Sequence, residues 1–232
     1  MFLGPPGEAR ETLDAIQRPL VVVAHPDDET FFFGGLILAF AGRADVLCVT
    51  DGDFEGQGEA RRAALREAGR ALGAREIVQW QIPDHPARVL PIDAIVAALA
   101  AVQDARAHDA VFTHAPHGDY GHHNHMDVSI AVHRAFEGRA PVYVVAGLLH
   151  PSLRVALSAG AYARKLGLAS SIYLREARKA RVLLPPPADE GYARLTLAEA
   201  ERVYAHCAEG EPVDDAELDA YRACFPLIRS PS

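Results

Sequence analysis

The sequence is poor in several things that would point to common classes. It has three cysteines in 232 residues, Cys48, Cys207 and Cys224. The odd number and the absence of any Cys-x-x-Cys spacing exclude a disulfide framework and a cysteine zinc knuckle. One Trp and seven Tyr, with no Lys/Arg-rich stripe and a net charge of −8, exclude a nucleic-acid or acidic-membrane partner. No apolar run is long enough to span a bilayer; the longest, around Phe31 to Ala41, falls far short. The first twenty residues carry Glu8, Glu11 and Asp14 and no basic leader region, so the expected location is the cytoplasm. Nothing repeats, and no segment is of low complexity. The first apolar strand is followed by acids instead of Gly-x-Gly-x-x-Gly, which excludes dinucleotide binding, because an acidic turn repels a pyrophosphate.

What remains is an ordinary globular composition, half hydrophobic, in a chain able to bury a core without staples. Apolar β-branched runs at Leu20–Ala24, Asp45–Thr50, Glu76–Ile82, Ala110–Thr113 and Pro141–Leu149 read as strands. Helical patterns lie between them at Gly34–Ala44, Glu59–Leu72 (closed by Gly73), Pro91–Ala107 and Asn124–Phe136. Strict alternation predicts an α/β fold, a mostly parallel sheet with helices on both faces. The last third is less regular. It predicts a strand at Ser171–Leu174, a turn at Pro185–Pro187 and helices at Leu197–Cys207 and Asp215–Cys224. The chain is expected to form one domain over residues 1–232, with a core at 20–150 and a C-terminal part, 151–232, that completes the fold and the substrate pocket.

In such a fold the loops after the strands gather at one edge and bind ligands. Two are rich in chemistry. His25-Pro26-Asp27-Asp28-Glu29 follows the first strand, and packing a His and three acids there is costly unless a positive charge sits among them. A divalent cation would supply it, with His25 and Asp28 as ligands and Asp27 facing a water. The loop after the fourth strand holds His114, His117, Asp119, Tyr120, His122, His123, His125 and Asp127. His122 and His125 are three apart at a helix start and point to similar sides, so one can bind metal while the other faces substrate. Two His and a carboxylate form a catalytic zinc pattern. The set also suits iron(II), cobalt or manganese.

The strand with Ala24-His25-Pro26-Asp27-Asp28-Glu29, then Gly34-Gly35, Thr50-Asp51-Gly52 and Tyr120-Gly121-His122-x-x-His125, resembles the PIG-L/LmbE family of zinc-dependent N-deacetylases over about Leu20 to Phe136. The resemblance implies a Rossmann-like three-layer fold and removal of acetyl from a small GlcNAc-type conjugate, an N-acylated small-molecule substrate. It implies one zinc per chain on His25, Asp28 and His125. Asp27 would be the general base. Tyr120 and His122 would stabilise the oxyanion, and His122 would protonate the leaving amine. Arg61 and Asp84 are candidate substrate contacts.

Three departures stand out. Asn124 replaces an Asp that in the family supports the charged form of the catalytic His, so His122 is expected to be less basic. His123 replaces a Pro and is placed to touch substrate. Ala64 stands where the family has Glu three residues after Arg61. These leave two alternatives: a hydrolase of non-sugar N-acyl amides, and a zinc-holding protein with little turnover. Glu29 is expected to be structural, and His114 and His117 to be loop or supporting residues. Asp51, Asp53 and Glu55 lie on a loop that is either solvated or reaches sugar hydroxyls. Phe31, Phe32 and Phe33 are expected in the core, and His206 packed at the surface. The oligomeric state is open, a homo-oligomer being possible.

Overall fold

The computed structural model describes residues 6–85, 89–146, 151–179 and 186–212. In chain order the elements are α1 (Pro6–Ala15), β1 (Pro19–Val23), α2 (Asp28–Phe31), α3 (Gly34–Phe40), β2 (Asp45–Thr50), α4 (Gly58–Leu72), β3 (Glu76–Ile82), α5 (Ile92–Ala105) and β4 (Ala110–Thr113). There follow α6 (Gly118–Gly121), α7 (His123–Phe136), β5 (Val142–Val145), β6 (Leu153–Ala156), α8 (Ala159–Ser171), α9 (Leu174–Lys179), β7 (Asp189–Leu195) and α10 (Leu197–Glu209).

One seven-stranded sheet has the order β3-β2-β1-β4-β5-β7-β6. Strands β1 to β5 are parallel, and β7 runs antiparallel to both β5 and β6. The α/β expectation, mostly parallel with helices on both faces, is met. Its cause is visible in β1, where all five residues are buried. Leu20 and Val22 belong to a core with α5, α7 and α10, whereas Val21 and Val23 belong to the opposite core with α3 and α4. Successive strand residues face opposite sides, so only a continuously apolar strand can sit between two helical layers.

Chain order reverses between β1 and β4, which are neighbours. A crevice opens at the carboxyl ends of strands at such a point, and the two loops rich in His and acids leave those two ends.

The C-terminal third corrects the sequence reading. No strand forms at Ser171–Leu174; α8 runs to Ser171 and α9 starts at Leu174. Ile172 and Tyr173 look strand-like in isolation. In space Ala169, Tyr173 and Ala177, four residues apart, form one buried stripe against Phe31 and Ala68, and that helical spacing decides. The two antiparallel strands β6 and β7, and α1, were not foreseen. The helix placed at 215–224 and the end of the strand placed at 141–149 lie outside the described residues, as does Pro185. Strand β5 itself spans Val142–Val145. Helix α10 is entered through a Thr196/Glu199 capping box, which satisfies two otherwise orphaned backbone donors.

Candidate metal centre and active site

The turn after β1 is tight because Thr30 and Phe31 N–H both donate to the Asp27 carbonyl at 3.0 Å. This holds Asp27 at φ 129°, ψ −32°, a region that costs a non-glycine residue about 1–3 kcal/mol. The surroundings over-determine it. Asp27 N–H donates to Glu29 at 3.0 Å. Arg61 from α4 donates to the Pro26 carbonyl at 2.7 Å and lies 3.3 Å from the Asp27 carboxylate. Glu29 is fully buried and also accepts from the Thr30 hydroxyl at 2.6 Å, the structural place expected for it. Gly52 is required opposite this turn, since its φ is +69° and a Cβ there would meet Pro26 at 2.9 Å.

The loop after β4 is organised by Asp119, itself at φ 61°. Its carboxylate accepts the Ala115 N–H at 3.0 Å and lies 2.6 Å from His114 Nδ1 and 2.8 Å from His125 Nδ1. His114 in turn accepts the Ala24 N–H at Nε2, 3.0 Å, and stacks on His125 with ring centroids 3.8 Å apart. Asp119 and His114 thus stitch the two loops together and turn His125 Nε2 toward the first.

Three ligand-type atoms then meet. His25 Nδ1 is 3.2 Å from His125 Nε2 and 3.4 Å from Asp28 Oδ2, and the third side, His125 Nε2 to Asp28 Oδ2, is 3.5 Å. A tetrahedral ion with bonds of about 2.0–2.1 Å places its ligand atoms about 3.3–3.4 Å apart, so the triangle fits a zinc-like ion. His114 Nε2 also lies 3.3 Å from Asp28 and 3.0 Å from the Ala24 nitrogen, so His114 is a further neighbour of the same carboxylate. Two overlapping groups here could hold a metal, His25 with His122 and His125, and Asp28 with His114 and His125, and the triangle draws on both.

The electrostatics agree. Burial would raise the Asp28 pKa, yet His125 and His114 beside it hold it well below the usual carboxylate range. Burial would lower His25, but hydrogen bonds with Asp28 and Asp84 outweigh it and push His25 up to about 10. A buried turn of three acids draws positive charge, and a divalent ion can take the place of that proton. Burial and the neighbouring Asp28 raise Asp27 well above its ordinary value, with Arg61 opposing. His122 is pushed down to about 3 by burial and by His125 and His25. The direction matches the expectation from Asn124, but the cause differs. Asn124 does not face His122; its amide nitrogen reaches His25 Nε2 and Asp84, each at 3.2 Å.

A cavity of about 300 Å³ opens over this centre, lined by His25, Asp27, Asp28, Arg61, Asp84, Tyr120 and His122 among others. All eight residues singled out from sequence are therefore brought together, His125 lying behind His25. Arg61 and Asp84, the candidate substrate contacts, line the cavity and also brace the centre: Arg61 is engaged with Pro26 and Asp27, and Asp84, 7 % exposed at its side chain, lies 3.4 Å from His25 Nε2. Of the loop acids, Asp51 accepts the Asp53 and Asp84 N–H groups, and Asp53 accepts that of Gly58. Only Glu55 of the three lines the cavity. His123 is exposed and outside the lining. Phe31 and Phe33 are core, but Phe32 is half-buried and packs its ring against Tyr120, His114 and His125. His206 is half-buried on α10, with Nδ1 at 2.7 Å from the Glu211 carbonyl.

Sequence reasoning gave Asp119 no role. The signal available was an Asp six residues before a ligand His, which spacing alone does not distinguish from a loop acid. Asp119→Ala is expected to weaken metal binding by about 10–100-fold, the usual effect of removing an outer partner of a ligating His. Calorimetric titration of the apoprotein with zinc checks this; an unchanged affinity would show that Asp119 does not orient His125.

Comparison with known proteins follows the same lines. The profile of the family described as PIG-L: GlcNAc-PI de-N-acetylase matches residues 20–136. The N-acetylglucosaminyl-phosphatidylinositol de-N-acetylase of Bos taurus is 32 % identical over 133 residues, 53 % of this chain and 53 % of its own length. The 1D-myo-inositol 2-acetamido-2-deoxy-alpha-D-glucopyranoside deacetylase of Mycobacterium sp. (strain KMS) is 34 % identical over 160 residues, covering 53 % of this chain and 52 % of that one. The chain thus spans about half the length of the curated relatives it matches. Among solved structures, N,N'-diacetylchitobiose deacetylase from Pyrococcus horikoshii superposes with a TM-score of 0.59 at 16 % identity, over 85 % of this chain and 95 % of that one. GalB, the 4-carboxy-2-hydroxymuconate hydratase from Pseudomonas putida, superposes with a TM-score of 0.56 at 19 % identity, over 77 % and 96 %. A deacetylase and a hydratase on one architecture show that these likenesses speak to fold, and that function must be argued from the site.

Proposed function

Since the chain belongs to the PIG-L family, whose profile covers half of it, we propose that it is a metal-dependent hydrolase that removes the N-acetyl group from a small GlcNAc-type amino-sugar conjugate. The observation that carries this is the near-equilateral triangle of His25 Nδ1, Asp28 Oδ2 and His125 Nε2 with a free carboxylate, Asp27, beside it. A site built only to hold an ion has no use for that fourth group in a strained backbone position.

We assign the metal to His25, Asp28 and His125, and take zinc as the ion. It would polarise the amide carbonyl and acidify a water, the chemistry zinc with three protein ligands supplies. Asp27 accepts the proton of the attacking water. Arg61 keeps the Asp27 carboxylate oriented. The carbonyl oxygen gains charge on attack, and the Tyr120 hydroxyl, which lines the cavity and is protonated at neutral pH, donates to it. The leaving amine needs a proton. His122 lines the cavity with Tyr120 and is the residue placed to hand it one.

The test is acetate release from N-acetylglucosaminides by protein stripped with a chelator and then given zinc. Stripping is expected to abolish release and zinc to restore it. Release that survives complete removal of metal would overturn the metal-dependent reading.

A further inference from the structure

The cavity has a polar floor and a mouth that sets aromatic side chains among charged ones. Along the floor, Asp84 and Arg61 are 7 % and 18 % exposed at their side chains. At the mouth, Phe54 is 53 % exposed and Tyr120 46 % exposed, and both line the opening. Single exposed apolar side chains are common on protein surfaces and carry no message. Phe54 differs because its backbone is held. The Asp53 carboxylate accepts the Gly58 N–H at 2.6 Å, and Gly56 N–H donates to the Asp53 carbonyl at 3.0 Å. The next residue, Glu55, is clasped by Arg175 at 2.8 Å and by Lys179, both on α9. The Phe54 and His85 rings meet edge-to-face with centroids 5.7 Å apart, and about half of Phe54 stays exposed. A loop tied down on both sides of an aromatic side chain keeps that side chain out of the core and over the opening.

The volume matters too. At about 300 Å³ the cavity is at the small end of ligand pockets, roughly 300–1,000 Å³. It suits one sugar ring. Whatever that sugar is attached to must lie across the mouth, where it meets Phe54.

We infer that the mouth is a second subsite for the substituent carried by the amino sugar, that this substituent presents a planar apolar or aromatic ring, and that Phe54 is the specificity-determining residue that stacks on it. The inference rests on the deacetylase reading for the sugar and on Phe54 alone for the substituent. Aromatic rings prefer offset or edge-to-face contact, and the exposed half of Phe54 offers such a contact to a ring at the mouth. The charges beside it are in part engaged with one another, Glu55 pairing with Arg175 and Lys179.

The experiment compares phenyl and methyl glycosides of N-acetylglucosamine as substrates. It also compares binding of the corresponding glucosamine glycosides by calorimetry, in wild type, Phe54→Ala and Phe54→Tyr. Wild type is expected to prefer the phenyl compound by about 10–100-fold in kcat/KM, through KM, as burial of one aromatic face implies. The preference falls to about one in Phe54→Ala and survives in Phe54→Tyr, and the binding ratios follow the same pattern. Equal handling of phenyl and methyl compounds by wild type, or a preference that persists in Phe54→Ala, overturns the subsite. If neither glycoside releases acetate while the Phe54-dependent binding preference is present, the subsite stands and the deacetylase reading falls.

Discussion

Asp27→Asn is expected to fold, to hold its metal, and to lose about 10²–10⁴-fold in acetate release, the usual share of general acid–base catalysis. The argument is geometric first. The three ligand-type atoms close on one another at 3.2, 3.4 and 3.5 Å without Asp27, so the ion has no need of it. Its carboxylate instead faces Arg61 at 3.3 Å and the cavity. Asn is also the conservative choice for the backbone, because Asn and Asp tolerate positive φ better than other non-glycine residues. Metal content by elemental analysis and acetate release on the same preparation check it together. Activity within tenfold of wild type would remove Asp27 as base. Loss of metal along with activity would make it a ligand.

Lys165→Met is expected to be the most damaging substitution far from the cavity, costing about 3–5 kcal/mol, the range for breaking a buried ion pair from one side. For a chain of this size that corresponds to a fall in Tm of about 6–20 °C. Lys165 on α8 and Glu190 on β7 are both buried, 2.7 Å apart. Glu190 also accepts the Gly35 and Leu36 N–H groups at the start of α3, at 2.6 and 2.8 Å, and lies 2.7 Å from the Tyr192 hydroxyl. A carboxylate at a helix N-terminus is well placed. Among the described residues, however, Lys165 is the cation that offsets its burial. Gly35 is needed for the approach, since a Cβ there would lie 2.4 Å from Leu157 and 2.9 Å from Glu190. The double variant Lys165→Met with Glu190→Gln should recover a large part of the loss, because it leaves no uncompensated charge. Thermal unfolding of the three proteins decides; a single variant within about 2 °C of wild type would mean the pair contributes little. Helix α3 begins three residues after the turn that carries His25 and Asp28 ends, so this pair ties the C-terminal third to the strand end that builds the site.

Much of the architecture was legible because its cause is local. Five apolar strands separated by amphipathic helices leave few arrangements, and two His- and acid-rich loops at strand ends can meet only where chain order reverses. The dense acids at Asp27, Asp28 and Glu29 announce positive charge because their burial is costly without it, and Arg61 and the histidines supply part of it. What stayed hidden involves partners distant in sequence. The pairing of β7 between β5 and β6, the Asp84 contact with His25 and the Lys165–Glu190 pair leave no spacing to read. Tyr173 looked like strand because β-branched and aromatic residues favour strands, and only its burial against Phe31 shows the helical stripe.

The same division runs through the site. Composition and order along the chain determined that a cluster of His and acidic residues able to hold a metal belongs at the carboxyl ends of β1 and β4, and which residue types form it. Tertiary structure decided what each does. It turned Asn124 toward His25 instead of His122 and gave Asp119 the task of aiming His125. It also occupied Arg61 with Asp27 and left Phe54 open at the mouth. The physical reason is that residue type sets which chemistry a side chain can perform, whereas pKa and reach depend on neighbours brought together across a hundred residues of chain.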